Sequence, residues 1–577
     1  MATHQALATP MESMVKPPGD HVAGGWKQCL ILIVVLALFC AGLQNGQWAP
    51  VSDADLYAAV ARSIHTGQGF TFNGAPVGRV PPGWPLLLAA AMLISTSYWF
   101  LNLVQMSLFL GVAALYYYIV LRFTSPWRAF MIVLIVGILS RFFHLTFMLH
   151  SEGLFSLTSA IPILLALQVS EGRPAGWRIP SLIALSAVAV TVRWAGVLLP
   201  LVVGGALLSA GGRISLRLRC ASFLVLILVA LGSFLLVRHA LKRAWLVPSP
   251  PSAAETTGVD SEEAGETEYF VPVRTIGLAG GFDQYVRNVA QAGGWFAGLL
   301  FEPAQLGRSY RPLAVMADVF GWVLIAFFIA GSVPLWKQRR WLLLGVLLYC
   351  GALCARWPYP APRYLLPFAP LLLLGVWLGI DCLGAAQGGV RWRRIRRTLV
   401  VALFGAIAAV NLPMYVIDAW MIHAEDFYGT YYAGQSKPLI TIAEYLRQHN
   451  VGDREVGVSP RYINLNIDRG NTFGRRGFYF LMNRVFRHVP EGVCRERPNA
   501  ALLEWARRWG VKYYLYRPPT VPWRLWHFRV PRLQEKMTGA PVPPPTPYFE
   551  LYELRDDGAV QVELPAVNAR VDRVPGV

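Results

Sequence analysis

Two carboxylates, Asp53 and Asp55, open the polar stretch Val51–Pro85, VSDADLYAAVARSIHTGQGFTFNGAPVGRVPPGWP. A carboxylate held near an attacking hydroxyl or amine can take its proton. Two residues apart on a helix, these two point to different faces, so they are not a dyad sharing one proton. Asp53 could instead only cap the helix that begins there. Glu152 is a third acid, at the mouth of the apolar segment in HLTFMLHSEGLFSLTSAIPILLAL, with His144 and His150 just ahead of it. An ionisable residue beside or inside a membrane span is expensive and marks a functional position by default. The two histidines match no metal spacing, and interfacial packing explains them as well.

A set of arginines could supply the complementary chemistry. Arg193 interrupts a long apolar run, Arg356 and Arg363 lie in ARWPYPAPRYLLPFAP, and Arg238 follows another apolar run. Guanidinium forks match phosphate oxygens; snorkelling to lipid headgroups is the plainer alternative. There is no Walker loop, no GxGxxG between strand and helix and no HExxH. This suits a substrate activated by a lipid phosphate better than one activated by a bound nucleotide.

Positioning these residues falls to apolar segments. The 577 residues are 55% hydrophobic and 15% charged, with a mean hydropathy of +0.43. Such a composition implies a polytopic α-helical membrane protein. Runs long enough to span fall at about 28–44, 99–121, 127–142, 152–169, 220–237, 313–335, 341–355, 364–384 and 398–417. The run 179–210 is too long for one helix and reads as two short spans meeting near Arg193. That gives about eleven spans.

Residues 84–96 are apolar but too short to cross, which suits a re-entrant or juxtamembrane half-helix. With that segment left out of the count and the N-terminus inside, Arg122/Arg128, Arg173/Arg178, Arg213/Arg217/Arg219, Lys337/Arg339/Arg340 and Arg391–Arg397 all fall on the cytoplasmic side. Counting it as a span moves several of these outside, against the positive-inside bias. The net charge of +19 then reflects topology and contact with anionic membrane lipids, not nucleic acid. The choice places outside the loop 46–98, the turns at His144–His150 and Arg193, the long loop 238–311, the stretch Arg356–Pro362 and everything after about 420.

Residues 1–24 read as a disordered cytoplasmic tail, and the first apolar segment as an uncleaved span. In 46–98 a capped helix is expected from Ser52 or Asp53, with Leu56, Tyr57, Val60 and Ile64 on one face. Loop 238–311 carries an acidic tract, Glu255 to Glu268, and an amphipathic piece, Tyr285–Phe301. Residues 421–577 read as a separate soluble α/β domain, with helices at 438–449 and 499–509 and strands at 454–459, 511–516 and 549–554. The cysteines lie mostly in apolar runs and form no CxxC site.

In order along the chain, Asp53-x-x-x-Tyr57, Gly67 and Gly69, Arg79-Val80-Pro81-Pro82, Ser151-Glu152-x-x-Phe155, Arg193-x-x-Gly196 and Arg363-Tyr364-Leu365-Leu366-Pro367 resemble the GT-C membrane glycosyltransferases. The nearer likeness is to the aminoarabinose transferase and protein O-mannosyltransferase group, of the family 39/83 type. The resemblance spans most of 28–420; the tail matches only in kind. Asp53 is followed by Ala54, where many members have a second acid, and Leu56 stands where a basic residue is common. Arg79 replaces a Lys that usually directly precedes Pro-Pro.

The resemblance implies a bacterial inner-membrane enzyme with its active site and C-terminal domain on the extracytoplasmic side. It would transfer a sugar from a polyprenyl-phosphate donor to a lipid, glycan or protein acceptor in one inverting displacement. It implies Asp53 as the base and Glu152 as a second catalytic carboxylate, with Arg79, Arg193, Arg238, Arg356 and Arg363 on the donor phosphate. Asp55, Tyr57, His150 and Tyr364 would support them. A divalent cation (Mg, Mn or Zn), with Asp53, Glu152 and His144 as its candidate ligands, could relieve the leaving-group charge; enough arginines would do so without it. The half-helix 84–96 would wall the lipid-donor groove. The alternatives are a membrane transporter or ligase, and a non-catalytic scaffold of envelope polysaccharide assembly.

Overall fold

The computed structural model describes residues 25–47, 53–72, 75–77, 80–209, 215–246, 278–301, 311–356, 362–385 and 390–424, and beyond them 441–442, 445–446, 448–451, 455–458, 487–488, 493, 497–516 and 550–563. The expected N-terminal tail and the acidic tract of loop 238–311 lie outside these residues.

Helix α1 (Trp26–Ala41) is followed by α2 (Asp53–His65), a hairpin β1 (Thr71–Phe72) and β2 (Ala75–Pro76), and the short α3 (Gly83–Met92). Then come α4 (Tyr98–Leu121), α5 (Pro126–Gly137), α6 (Ser140–Phe143) with a 3-10 turn His144–Thr146, α7 (Glu152–Ser170) and α8 (Arg178–Val192). A 3-10 turn Trp194–Leu198 leads into α9 (Leu199–Leu208), and α10 (Leu216–Leu246), α11 (Leu278–Ala290), α12 (Ala292–Leu300), α13 (Arg311–Lys337) and α14 (Leu342–Arg356) follow. Two 3-10 turns, Pro362–Tyr364 and Leu366–Phe368, precede α15 (Ala369–Ala385) and α16 (Val390–Ile422).

Among the described residues five helices are long and apolar enough to cross a membrane, within α4, α7, α10, α13 and α16; the remaining apolar helices are shorter. This is a membrane-embedded helical protein. The expected half-helix is α3, whose ten residues reach about 15 Å, half a bilayer core. The break at Arg193 is real: α8 ends at Val192, and Arg193 is extended before the next turn. Helices α10 and α16 run further than the apolar windows, because the Arg-rich segments at their starts continue the helix. The amphipathic piece splits into α11 and α12.

Helices in lipid gain little from apolar burial and associate through close packing. Helices α13 and α15 cross at backbone contact: a Cβ on Gly331 would strike the Gly375 carbonyl, and one on Gly379 the Phe327 carbonyl. Gly293 of α12 and Gly321 of α13 meet in the same way.

Polar contacts fix which helix ends lie together. At one end Arg122 pairs with Glu171, Asp381 receives Arg128 at 2.9 Å and Arg396 at 3.2 Å, and Arg219 donates to the Ser209 carbonyl at 2.6 Å. At the other end Gln44 donates to the Thr146 carbonyl at 3.2 Å, His144 meets Asp418 at 2.9 Å and Arg193 meets Glu152 at 2.6 Å. Arg122, Arg128, Arg219 and Arg396, from three of the basic loops, are thus held at helix ends other than those that carry His144, Glu152 and Arg193.

In the C-terminal region β3 (Val456–Val458), β4 (Arg487–His488), α17 (Ala500–Trp509), β5 (Tyr513–Tyr516), β6 (Glu550–Arg555) and β7 (Gly558–Gln561) build a five-stranded sheet, ordered β4-β3-β5-β6-β7. Strand β3 is parallel to β4 and β5, and β5, β6 and β7 are antiparallel. Asn499 caps α17 by accepting from the Leu502 amide at 2.9 Å, and Gly510 closes it in the left-handed region. Of the expected helix 438–449 only parts are among the described residues; the expected strands at 454–459, 511–516 and 549–554 and the helix at 499–509 are observed, and β4 and β7 are additions.

Candidate functional site

The segment 147–151 joins the 3-10 turn to α7; the Ser151 carbonyl accepts from the Phe155 amide of α7 at 2.9 Å and the Met148 carbonyl from the His150 amide at 2.7 Å. Side chains add further donors. Gln105 of α4 donates Nε2 to the Met148 carbonyl at 2.9 Å and to the His150 carbonyl at 2.7 Å. Trp84 of α3 donates Nε1 to the Leu149 carbonyl between them, at 2.9 Å. This clamp fixes where Ser151 and Glu152 begin α7.

Glu152 is 3% exposed and Arg193 8%. One guanidinium nitrogen of Arg193 lies 2.6 Å from Glu152 Oε1 and donates to Ser151 Oγ at 3.2 Å. Ser151 Oγ in turn donates to the Tyr57 hydroxyl of α2 at 3.3 Å. His150 Nδ1 stands 3.7 Å from Glu152 Oε2, which has no hydrogen-bond partner among the described residues. The Arg193 and Arg363 guanidiniums lie over the Tyr364 ring, at 5.2 and 5.4 Å from its centroid, within cation–π range. Arg363 is near enough for its charge to act on both Glu152 and Arg193.

Tyr57, His150, Glu152, Arg193, Arg363 and Tyr364, drawn from four separate stretches of sequence, therefore share one site. Two guanidiniums and one carboxylate come together there.

Asp53 begins α2, one turn ahead of Tyr57. The side chains of Asp53, Asp55 and Arg356, and Arg79 as a whole, lie outside the described residues. Arg238 is exposed on α10, one turn beyond Phe234, whose ring meets Trp194 edge-on at 5.5 Å. His144 is committed to Asp418, a fully buried acid near the end of α16. No three His, Cys, Asp or Glu side chains converge among the described residues. With Glu152 balanced by Arg193 as well, the described residues do not by themselves fit a divalent cation.

Sequence reasoning missed three groups here. Asp418 sits just past the last apolar window, and an acid in that position is itself a sign of function or pairing. Gln105 is a polar residue inside a span. Arg62 is buried on α2, and burial lowers the pKa of its guanidinium.

No protein-family model and no curated protein matches the chain. Solved structures do. The archaeal oligosaccharyltransferase AglB from Archaeoglobus fulgidus, in complex with an inhibitory peptide and a dolichol-phosphate, is 13% identical with a TM-score of 0.48, covering 84% of this chain and 69% of its own. ArnT from Cupriavidus metallidurans bound to undecaprenyl phosphate is 14% identical with a TM-score of 0.47, over 95% of this chain and 99% of its own. The oligosaccharyltransferase in complex with Zn and sulfate has a TM-score of 0.43 at 13% identity, over 84% of this chain and 67% of its own.

Proposed function

We propose that this protein is an integral-membrane glycosyltransferase that moves a sugar from a polyprenyl-phosphate donor to an extracytoplasmic acceptor. The observation that carries this is the convergence of Tyr57, Glu152, Arg193, Arg363 and Tyr364, the GT-C-like motif positions, on one site.

In this reading Asp53 accepts the proton of the acceptor hydroxyl or amine as that atom bonds to the anomeric carbon from the face opposite the phosphate. The bond from the anomeric carbon to the phosphate oxygen breaks, and its electron pair leaves with the polyprenyl phosphate. Arg363 meets the growing phosphate charge, with Arg79, Arg238 and Arg356 as further candidates. Arg193 serves first as the counter-ion that keeps Glu152 ionised and placed, and Glu152 Oε2 is left to orient the acceptor.

Eleven crossing segments are proposed: α1, α4, α5 with α6, α7, α8, the 3-10 turn with α9, α10, α13, α14, α15 with its 3-10 turns, and α16. Helix α3 does not cross. This assignment places residues 1–24 and the basic loops in the cytoplasm. It places 46–98, 238–311 and the C-terminal region 421–577 outside an inner membrane.

The test is the lipid pool. Cells lacking the protein should accumulate one polyprenyl-phosphate sugar; wild-type protein should clear it and Asp53→Asn should not, although that variant folds and binds the donor. Unchanged clearance by Asp53→Asn would refute the assignment of the base. No accumulated lipid-linked sugar would refute the reaction class.

A further inference from the structure

Ser151 stands at the position that caps α7, one residue before Glu152, and is fully buried. A serine there ordinarily accepts from an amide of the first helical turn, as Asn499 does for α17. Ser151 does not: its side chain makes no cap bond. The helix holds only its backbone, through the Phe155 amide, which donates to its carbonyl at 2.9 Å. The hydroxyl is turned to two other groups, Arg193 at 3.2 Å and the Tyr57 hydroxyl at 3.3 Å.

The polarity of this chain follows from its members. A guanidinium carries donors and no acceptor, so Ser151 Oγ accepts from Arg193. Its single proton goes on to the Tyr57 oxygen. Tyr57 then directs its own O–H away from Ser151. Bonds in such a series polarise one another in the same sense. Three helix ends meet in it: the start of α7 at Ser151, the end of α8 before Arg193 and the early part of α2 at Tyr57. One turn of α2 separates Tyr57 from Asp53. Arg193 meanwhile keeps its 2.6 Å contact with Glu152.

We propose that Ser151 is a positioning residue for the base. Its hydroxyl holds that of Tyr57, and so sets the start of α2, with Asp53, in register with the Glu152–Arg193 pair. This rests on the reading of Asp53 as the base. A cap bond from Ser151 would serve α7 alone, whereas the bonds it makes tie α7 to α2 and α8. In the transfer, Asp53 must meet the proton of an acceptor that Glu152 orients, and the two carboxylates lie on different helices. Ser151 and Tyr57 fix one against the other, as a functional site on separate elements requires.

The experiment adds the purified full chain to detergent-permeabilised membranes of cells lacking the protein. These supply the acceptor and the accumulated polyprenyl-phosphate sugar, which is the probe. Clearance of the probe is followed as its amount is varied. Ser151→Ala and Tyr57→Phe each delete one hydroxyl and keep the rest of the side chain. Each should lower the rate at saturating probe by about tenfold to a hundredfold, the scale of a misplaced reacting group, and leave the half-saturating concentration unchanged. The double variant should be no slower than the slower single, because the two hydroxyls act through one chain. A merely structural role would lower the amount of folded protein and leave the rate per folded molecule as in the wild type.

A wild-type rate in either single variant, beside an inactive Asp53→Asn, would overturn the proposal alone. So would losses that multiply in the double variant, since the two hydroxyls would then act separately. A raised half-saturating concentration at an unchanged rate would make them donor contacts and overturn it too. If Ser151→Ala does not fold, the rate and half-saturation of Tyr57→Phe decide. Clearance by Asp53→Asn at the wild-type rate would overturn the base assignment and the proposal with it, and no clearance by the wild type would overturn the reaction itself.

Discussion

Glu152 and Arg193 lie 2.6 Å apart where α8 ends and α7 begins, both almost wholly buried. Neither is tolerable there alone. Breaking such a pair from one side leaves a charge without compensation and typically costs 3–5 kcal/mol. Glu152→Gln and Arg193→Gln should each lower stability by about 3 kcal/mol or more on that basis and abolish turnover. The double variant should regain much of the stability and none of the activity. Thermal melting alongside turnover of the lipid-linked sugar checks this; a double variant no more stable than the singles would count against the pair as a unit.

The Arg363 guanidinium lies over the Tyr364 ring, and its charge acts on Glu152. We predict that Arg363→Gln raises KM for the polyprenyl-phosphate donor by roughly tenfold to a hundredfold, the loss of about one charge-assisted contact of 1.5–3 kcal/mol. Arg363→Lys should recover only part of it, since an ammonium lacks the fork. Donor titrations at saturating acceptor decide; an unchanged KM would remove Arg363 from the phosphate site.

His144 and Asp418 tie the 3-10 turn to the end of α16 at 2.9 Å. Asp418→Ala should destabilise the bundle by about 3 kcal/mol, as for other buried partners removed singly, while the folded fraction keeps its turnover within about twofold. A large loss of turnover at unchanged stability would move this pair into the catalytic machinery.

Topology gives a fourth prediction. A reporter fused at Gly389 should read cytoplasmic and one fused after Trp420 extracytoplasmic. An extracytoplasmic signal at Gly389 would mean that α3 crosses the membrane after all.

Much of this was visible in one dimension where a residue broke its local pattern. Arg193 interrupts an apolar run and α8 ends before it; 84–96 was too short to span, and α3 is short. Asp53 was expected to start a helix and α2 begins there. What stayed hidden was pairing across distance. Nothing local to Glu152 or Arg193 names the other, and the donors from Gln105 and Trp84 to three successive carbonyls depend on three segments arriving together. The β1–β2 hairpin was overlooked although Asn73-Gly74 is a strong turn dipeptide. Helix α16 was cut short because a hydropathy window stops at Arg391–Arg397, whereas arginine is a good helix former.

That long helix has a further consequence. Its 33 residues reach about 50 Å at 1.5 Å each. Near its start Arg396 is bound to Asp381 of α15, and near its end Asp418 is bound to His144. A rod pinned at both ends cannot slide along its own axis like a piston. Sliding would break both contacts at once, so together they fix the register of α16 against α15 and the His144–Thr146 turn.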